Sequence, residues 1–363
     1  MYRERVLVAM SGGVDSSVAL SKLLDEGYDA FGVTMKLWET KDPVSKVVRN
    51  SNCNTVEAIN GAKMVCDRMG VNHYTLDFID VFKKSVIDDF TKEYLNGRTP
   101  NPCVRCNSFV KWETLLKQAD IYEAKYIATG HYARIENYKN NPILKKGLDP
   151  NKDQSYMLWQ IDKKYLIRTL FPIGNMTKDE VRKYADENNL ETAQTTDSMD
   201  LCFVDNNDYS QFLNEIMPEK MNSINSGDII NENEKVIGQH SGFTNYTVGQ
   251  RKGLGLSYHK PLYVKKINPI NNTIMVSEKG SIFSDNCIVS NVNWIIEAPQ
   301  NDVKAFVKIR YNSYGCNATI SKFKNNYRIK FNEPQLAITP GQSAVFYKDD
   351  VLIGGGIIEA DKL

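Results

Sequence analysis

Long apolar runs are missing from this sequence: no stretch approaches the ~20 residues that a membrane-spanning helix needs, so no membrane span is expected. Internal repeats and low-complexity tracts are also absent, which leaves an ordinary globular chain. Neither sign of charge dominates, with 45 Lys and Arg against 44 Asp and Glu. Met1-Tyr-Arg-Glu-Arg5 leads straight into the apolar run Val6–Met10, which leaves no room for a signal peptide. A cytosolic chain is expected, and seven cysteines there point to reactive, metal-binding or buried thiols rather than staples. At 363 residues two or three domains are expected.

The balance of charge hides an asymmetry. From Arg251 to Leu363 there are 15 basic against 9 acidic residues, leaving 30 against 35 in the rest. A basic C-terminal third on a faintly acidic body suits a polyanionic partner.

The most informative stretch is Val6-Leu-Val-Ala-Met-Ser11-Gly-Gly-Val-Asp15-Ser-Ser17. An apolar run that breaks at two glycines and continues with helical spacing reads as a buried strand turning into a helix N-terminus. That geometry aims orphan backbone N–H groups and the positive end of the helix dipole at one spot, which suits phosphate. The Walker lysine is missing, since no Gly-Lys-Ser/Thr follows. Asp15 beside bound phosphates would be repulsive unless it held a divalent cation, most simply Mg²⁺. Ser-Gly-Gly-Val-Asp-Ser resembles the PP-loop of ATP pyrophosphatases, enzymes that cleave ATP between the α- and β-phosphates.

Further strands are expected at 29–35, 73–77 and 124–128, with helices at 56–69 and 81–95 and an irregular loop over 38–54. Alternation of strands and helices to about residue 205 predicts an α/β domain with a doubly wound parallel sheet. Thr129-Gly130-His131 follows the fourth strand, at the carboxyl end where such sheets bind ligands. Beyond residue 210 the texture changes. Gly238, Gly242, Gly249, Gly253 and Gly255 mark a small loop-rich module, and alternating segments such as 303–310 and 327–331 predict an antiparallel barrel or sandwich. The expected division is 1–208 for the PP-loop domain, 209–280 for a small central module and 281–363 for a C-terminal β-barrel.

Between the third and fourth strands lies Gly97-Arg-Thr-Pro-Asn-Pro-Cys103-Val-Arg-Cys106-Asn107. Pro100 and Pro102 are expected to deny helix here and leave a stiff loop presenting two thiols. Redox pairs, half zinc sites and iron–sulfur ligands share the Cys-x-x-Cys spacing. No second pair follows at zinc-finger spacing. Cys202 sits among apolar residues in Asp200-Leu-Cys-Phe203. Cys66 falls on a helical face with Ala62, Val65 and Met69 and is expected in the core, while Cys53, Cys287 and Cys316 have no motif around them.

Taken in order, Ser11–Ser16, Gly97–Pro102, Cys106-Asn107, Ala128–Arg134, Lys152–Tyr156, Asp200–Phe203, Tyr246–Gly255 and Pro340–Ser343 resemble the tRNA-uridine 2-sulfurtransferases, the tRNA-specific 2-thiouridylase (MnmA/TrmU) family, along essentially the whole chain. The resemblance implies 2-thiolation of the wobble uridine, U34, in tRNAs for Lys, Glu and Gln. It implies that ATP is held by Ala9, Met10, Ser11, Gly12, Gly13, Val14, Asp15, Ser16, Met35 and Gly130. Asn101, Pro102 and Cys103 would meet the flipped-out base, and Lys152, Asp153, Gln154, Arg310 and Tyr311 would contact tRNA. Cys106 would be the nucleophile and Cys202 the persulfide carrier, and the pair would end as a disulfide. Many relatives carry Asp where this chain has Cys103. That departure opens a second route, in which Cys103, Cys106 and Cys202 ligate a [4Fe-4S] cluster.

The expected cofactors are thus ATP and Mg²⁺, with the cluster as the alternative to the persulfide route. The expected partners are the tRNA anticodon arm and a cysteine desulfurase or sulfur-relay protein, and a cytoplasmic monomer is expected. His131 could touch ATP or cap the following segment, and Arg251-Lys252 among glycines suits backbone-phosphate contact. Two rival readings are a PP-loop ligase or amidotransferase-type enzyme acting on a small metabolite, and a non-catalytic tRNA-binding sulfur carrier.

Overall fold

The computed structural model describes residues 3–41, 48–50, 56–138, 141–195, 201–204 and 208–360. The chain divides into two compact units. One comprises residues 1–87, 103–207 and 350–353, the other 88–102, 208–349 and 354–363.

The first unit begins with β1 (Arg5–Ala9), α1 (Val14–Asp25) and β2 (Asp29–Lys36). Two short strands, β3 (Glu39–Lys41) and β4 (Val48–Asn50), pair antiparallel, so part of the expected 38–54 loop is a hairpin. Then come α2 (Val56–Arg68), β5 (His73–Asp77) and α3 (Ile79–Phe82). The next helices are α4 (Asp88–Leu95), which belongs to the second unit, α5 (Pro102–Arg105) and α6 (Leu115–Ile121). Two π-helical stretches interrupt this helical region, at Lys83–Ile87 and Cys106–Thr114. Such wide turns are rare and recur at functional sites. The unit continues through β6 (Tyr126–Thr129), the hairpin β7 (Ala133–Tyr138) and β8 (Asn141–Lys146), β9 (Thr169–Leu170) and α7 (Lys178–Glu187).

Its parallel sheet runs β5-β2-β1-β6-β9. Apolar side chains fill both faces, as expected for strands buried on both sides. Val6, Val8, Leu20, Leu23, Ala62, Val65 and Cys66 form one cluster, and Val14, Val18, Tyr132, Ile173 and Val181 another. β9 is only two residues long and has no sequence signature of its own.

In the second unit, α8 (Tyr209–Ile216) and α9 (Pro218–Ser223) precede β10 (Gly227–Ile230) and β11 (Val236–His240). With β12 (Leu262–Asn268) and β13 (Thr273–Glu278) these make a sheet of order β11-β10-β13-β12 around Ile229, Val264, Ile274 and Val276. α4 packs on α8, with Tyr94 stacked on Tyr209. The remaining strands are β14 (Phe283–Trp294), β15 (Val303–Lys308), β16 (Cys316–Phe323), β17 (Asn326–Leu336), β18 (Ser343–Lys348) and β19 (Val351–Ile358). They run β14-β17-β16-β15-β18-β19, and β14 pairs β19 to close an antiparallel barrel. At that seam an ideal Cβ on Gly354 would lie 2.6 Å from Asn293 O, so only glycine permits the approach. Among the described residues no helix is long and apolar enough to cross a membrane.

Candidate active site

Parallel strands end together, so their carboxyl ends share one edge. Ala9 of β1 stands beside Val33 of β2 and Thr129 of β6, which gathers Ser11–Ser17, Met35 and Gly130-His131 at that edge of the first unit. The turn after β1 is tightly specified. Gly12 has φ +78°, and a Cβ there would sit 2.5 Å from Ala58 O of α2. Ser16 Oγ donates to Gly13 O at 3.0 Å and accepts from Ser11 N–H at 3.2 Å, while Ser17 Oγ also donates to Gly13 O. Gly13, the N-cap of α1, brings no capping side chain. The turn is thus braced from within by serines while the helix start stays open to an acceptor, the arrangement that phosphate needs.

Gly130 packs directly on this turn: its ideal Cβ would lie 2.7 Å from Asp15 C and 2.8 Å from Ser16 N. Beside it, Thr129 Oγ1 and His131 Nδ1 are 2.7 Å apart, and the imidazole faces the rings of Trp112 and Phe171. Desolvation of the ring, with the positive charge of Lys111 behind it, holds His131 well below its ordinary pKa, so it is neutral at pH 7. Met35 is 7 % exposed and pairs with Leu76 of β5.

Asp15 has partners the sequence did not suggest. Lys178 Nζ lies 2.8 and 2.9 Å from its two oxygens, and Tyr132 OH donates to Oδ1 at 2.7 Å. Lys152-Asp153-Gln154 likewise turns inward in part. Asp153 accepts from Gly147 N–H, Ser155 N–H and Ser155 Oγ, and Gln154 Oε1 accepts from Tyr132 N–H at 3.0 Å. Both residues brace the chain around Tyr132.

The cysteines correct one expectation. Pro102 does not deny helix; it opens α5, where the missing N–H costs nothing and the fixed φ is preorganised. Cys103 and Cys106 therefore stand on consecutive helical turns rather than in a stiff loop. Cys103 is exposed and Cys106 is 8 % exposed at the start of the longer π-helix. Arg105 Nε donates to Ser85 O at 2.8 Å, and Phe203, next to Cys202, packs edge-on against Phe82 at 5.7 Å. The segments that carry Cys106 and Cys202 are thus anchored on the same helical stretch, residues 79–87. Cys202 itself is half-buried. Among the described residues no three His, Cys, Asp or Glu side chains are grouped to hold a metal ion. Asp200 and Cys53 lie outside the described residues.

Cys66 is fully buried against Gly32, and burial, helped by the charge of Asp67, pushes its thiol up to about 11. Cys287 is buried in the barrel wall, and Cys316 accepts from Gln335 Nε2 at 3.1 Å.

In the second unit the Gly97–Pro102 loop is held by two distant motifs, Pro340–Ser343 and Tyr246–Gly255. Thr99 N–H donates to Pro340 O at 2.9 Å, and Gln342 Nε2 donates to Thr99 O and Pro100 O, both at 3.0 Å. A Cβ on Gly341, whose φ is +89°, would meet Thr99 O at 2.8 Å. Thr99 Oγ1 reaches Thr247 Oγ1 at 3.4 Å. Arg310 Nη2 donates to Ala337 O and Thr339 Oγ1, while Tyr311 lies under Lys308 Nζ. Arg251 and Lys252 are exposed.

Three family models match in succession: a tRNA methyl transferase HUP domain over residues 4–206, a tRNA methyl transferase PRC-barrel domain over 210–278 and an aminomethyltransferase β-barrel domain over 284–358. The chain is 45 % identical over 363 residues to the tRNA-specific 2-thiouridylase MnmA of Natranaerobius thermophilus, covering 99 % of this chain and 98 % of that one. It is 46 % identical over 365 residues to the enzyme of the same name from Carboxydothermus hydrogenoformans, covering 98 % of each. Among solved structures, the U34-tRNA thiolase NcsA from Methanococcus maripaludis with its [4Fe-4S] cluster aligns with a TM-score of 0.34 at 16 % identity, over 61 % of this chain and 68 % of that one. With full-length identity at this level, the chain belongs to the tRNA-specific 2-thiouridylase MnmA family.

Proposed function

We propose that this chain is an ATP-dependent tRNA-uridine 2-sulfurtransferase that converts U34 of tRNAs for Lys, Glu and Gln to 2-thiouridine. What supports the reading is that one compact unit carries both a phosphate turn at the sheet's carboxyl edge and two cysteine segments anchored on residues 79–87.

Uridine O2 is a poor leaving group, so it first attacks the α-phosphate of ATP. Pyrophosphate leaves into the Ser11–Ser17 turn, whose backbone N–H groups and serine hydroxyls meet its charge. Mg²⁺ accompanying ATP would spread that charge further. The terminal sulfur of a Cys202 persulfide then attacks C2, and AMP departs. The Cys106 thiolate attacks Cys202 Sγ in the resulting mixed disulfide, releasing 2-thiouridine and leaving a Cys106–Cys202 disulfide for an external thiol to reduce. Anticodon loops suit this chemistry because unstacking a loop base costs less than opening a duplex. Asn101 to Cys103 receive the base, and Lys152, Arg310, Tyr311 and the exposed Arg251-Lys252 pair meet the tRNA backbone. A desulfurase or relay protein loads Cys202. The three-part division at residues 208 and 280 assigns catalysis to the first part and RNA contact chiefly to the other two.

Mass spectrometry of tRNA incubated with the protein, ATP, Mg²⁺ and a persulfide donor tests this reading. One oxygen-to-sulfur exchange confined to U34 is expected. ATP–pyrophosphate exchange that depends on a metabolite and ignores tRNA would refute it. An iron-free protein that thiolates tRNA would separate the persulfide route from the cluster route.

A further inference from the structure

Lys178 breaks a local rule. It is the first residue of α7, directly after the Thr177 capping box, where the helix dipole disfavours a cation. It is also 8 % exposed, and a buried ammonium is retained only where something compensates it. The compensation is Asp15, bridged through both oxygens, with Tyr132 OH on Oδ1 and the Tyr132 ring 5.8 Å from Nζ. Lys178 N–H is fixed in turn by Asp149 Oδ2 at 3.0 Å. All four residues lie in the first unit.

Asp15 occupies the first turn of α1, next to the N–H groups assigned above to the pyrophosphate end of ATP. A bare carboxylate there would repel the phosphates. From these contacts we infer that Lys178 is a positioning residue for ATP: it neutralises Asp15 and pins it away from the phosphate path, so that Asp15 need not be a ligand of Mg²⁺. The inference rests on the Ser11–Ser17 turn being the ATP site. It gives α7, whose Lys178 is 163 residues from Asp15, a direct part in nucleotide affinity.

The charge logic gives a sign pattern that a metal-ligand role for Asp15 does not. The test is equilibrium ATP binding by calorimetry, in EDTA and again in Mg²⁺, with thermal unfolding of each variant as the check on folding. Lys178→Met exposes the Asp15 charge and should weaken ATP binding about tenfold or more even in EDTA. Asp15→Asn, which carries no charge for Lys178 to mask, should bind ATP in EDTA more tightly than Lys178→Met does, and its gain on adding Mg²⁺ should equal that of the wild type. The double variant Asp15→Asn/Lys178→Met should return to within about threefold of wild type, the mark of a coupled pair. Lys178→Arg, which keeps the charge, should also stay within about threefold. Should Lys178→Met fail to fold, the Asp15→Asn, double and Lys178→Arg variants carry the same test.

The inference is overturned if Lys178→Met binds ATP like wild type in EDTA. It is equally overturned if the double variant binds no better than Lys178→Met, or if Asp15→Asn loses affinity only when Mg²⁺ is present. A wild-type chain that binds no ATP would instead remove the phosphate-turn reading on which this one stands.

Discussion

Replacing Gly130 with alanine adds one methyl group at the tightest point of the proposed ATP site. The chain leaves β6 after Thr129, whose neighbour across the ladder is Ala9, and passes over the first turn of α1. The new Cβ would meet Asp15 C at 2.7 Å, Ser16 N at 2.8 Å and Asp15 O at 2.9 Å, all backbone atoms of the phosphate turn. Ordinary carbon contacts begin near 3.4 Å, so either the turn or β6 must retreat by about 0.5–0.7 Å. Overpacking of this kind costs about 1–3 kcal/mol. For a unit of this size that corresponds to roughly 2–12 °C in Tm. The functional loss should be larger, because a preorganised cradle displaced by a fraction of an ångström loses on the order of ten- to a hundredfold in kcat/KM. The control is Gly61→Ala in α2, where the nearest atom, Gly12 O, is 3.9 Å from the new Cβ. There helix propensity should stabilise by up to ~1 kcal/mol. The assay pairs differential scanning calorimetry with tRNA-dependent ATP–pyrophosphate exchange. Wild-type Tm and exchange in Gly130→Ala would refute the argument, and so would a Gly61→Ala control that proved just as damaging.

Alkylation should separate the thiols by burial: Cys103 should react with iodoacetamide within minutes at pH 8, while Cys66, with its thiol near 11, stays unlabelled until the protein unfolds. Cys106→Ser should abolish 2-thiouridine formation yet keep tRNA-dependent ATP–pyrophosphate exchange, and loss of both in a folded variant would count against its role as nucleophile. Acidification should cost stability in a window set by the histidines. Desolvation lowers His73 and His240 below 6.5, and His240 Nδ1 accepts from Gly242 N–H, which requires the neutral ring. The unfolded chain therefore binds protons that the folded chain refuses, so stability is full above about pH 6.5 and falls as pH drops below it. A urea midpoint that stays flat from pH 7.5 to pH 5.5, above the carboxylate range, would contradict this.

What could be read from the residues in order was whatever neighbours in sequence decide. The Val6–Met10 run, its two glycines and the helical spacing after them lie within one turn of each other, so strand, turn and helix followed directly. The five-stranded parallel sheet needed only the alternation of apolar strands with helices, although β9, at two residues, carries no periodicity to detect. Pro102 misled because proline forbids a helix interior but favours its first position, and only the following turns distinguish the two.

The partners of Asp15 belong to the opposite case. In sequence, an aspartate in a phosphate turn asks for a cation, and the simplest cation is a metal. In the folded unit Lys178, brought there by α7, also bridges Asp15, and Tyr132 adds a hydrogen bond from the loop after β6. Nothing local to Lys178 announces this; only the conflict between a capping box and a cation at the next position hints that it serves something beyond its own helix. The Gly97–Pro102 loop repeats the lesson, since Gln342 and Gly341 explain why Thr99 and Pro100 stand where they do. Motifs that read as separate blocks along the chain thus hold one another in place. A substitution at Gln342 should therefore disturb the Asn101–Cys103 segment it never precedes in sequence, and should do so by loosening two carbonyls rather than by removing a contact to RNA.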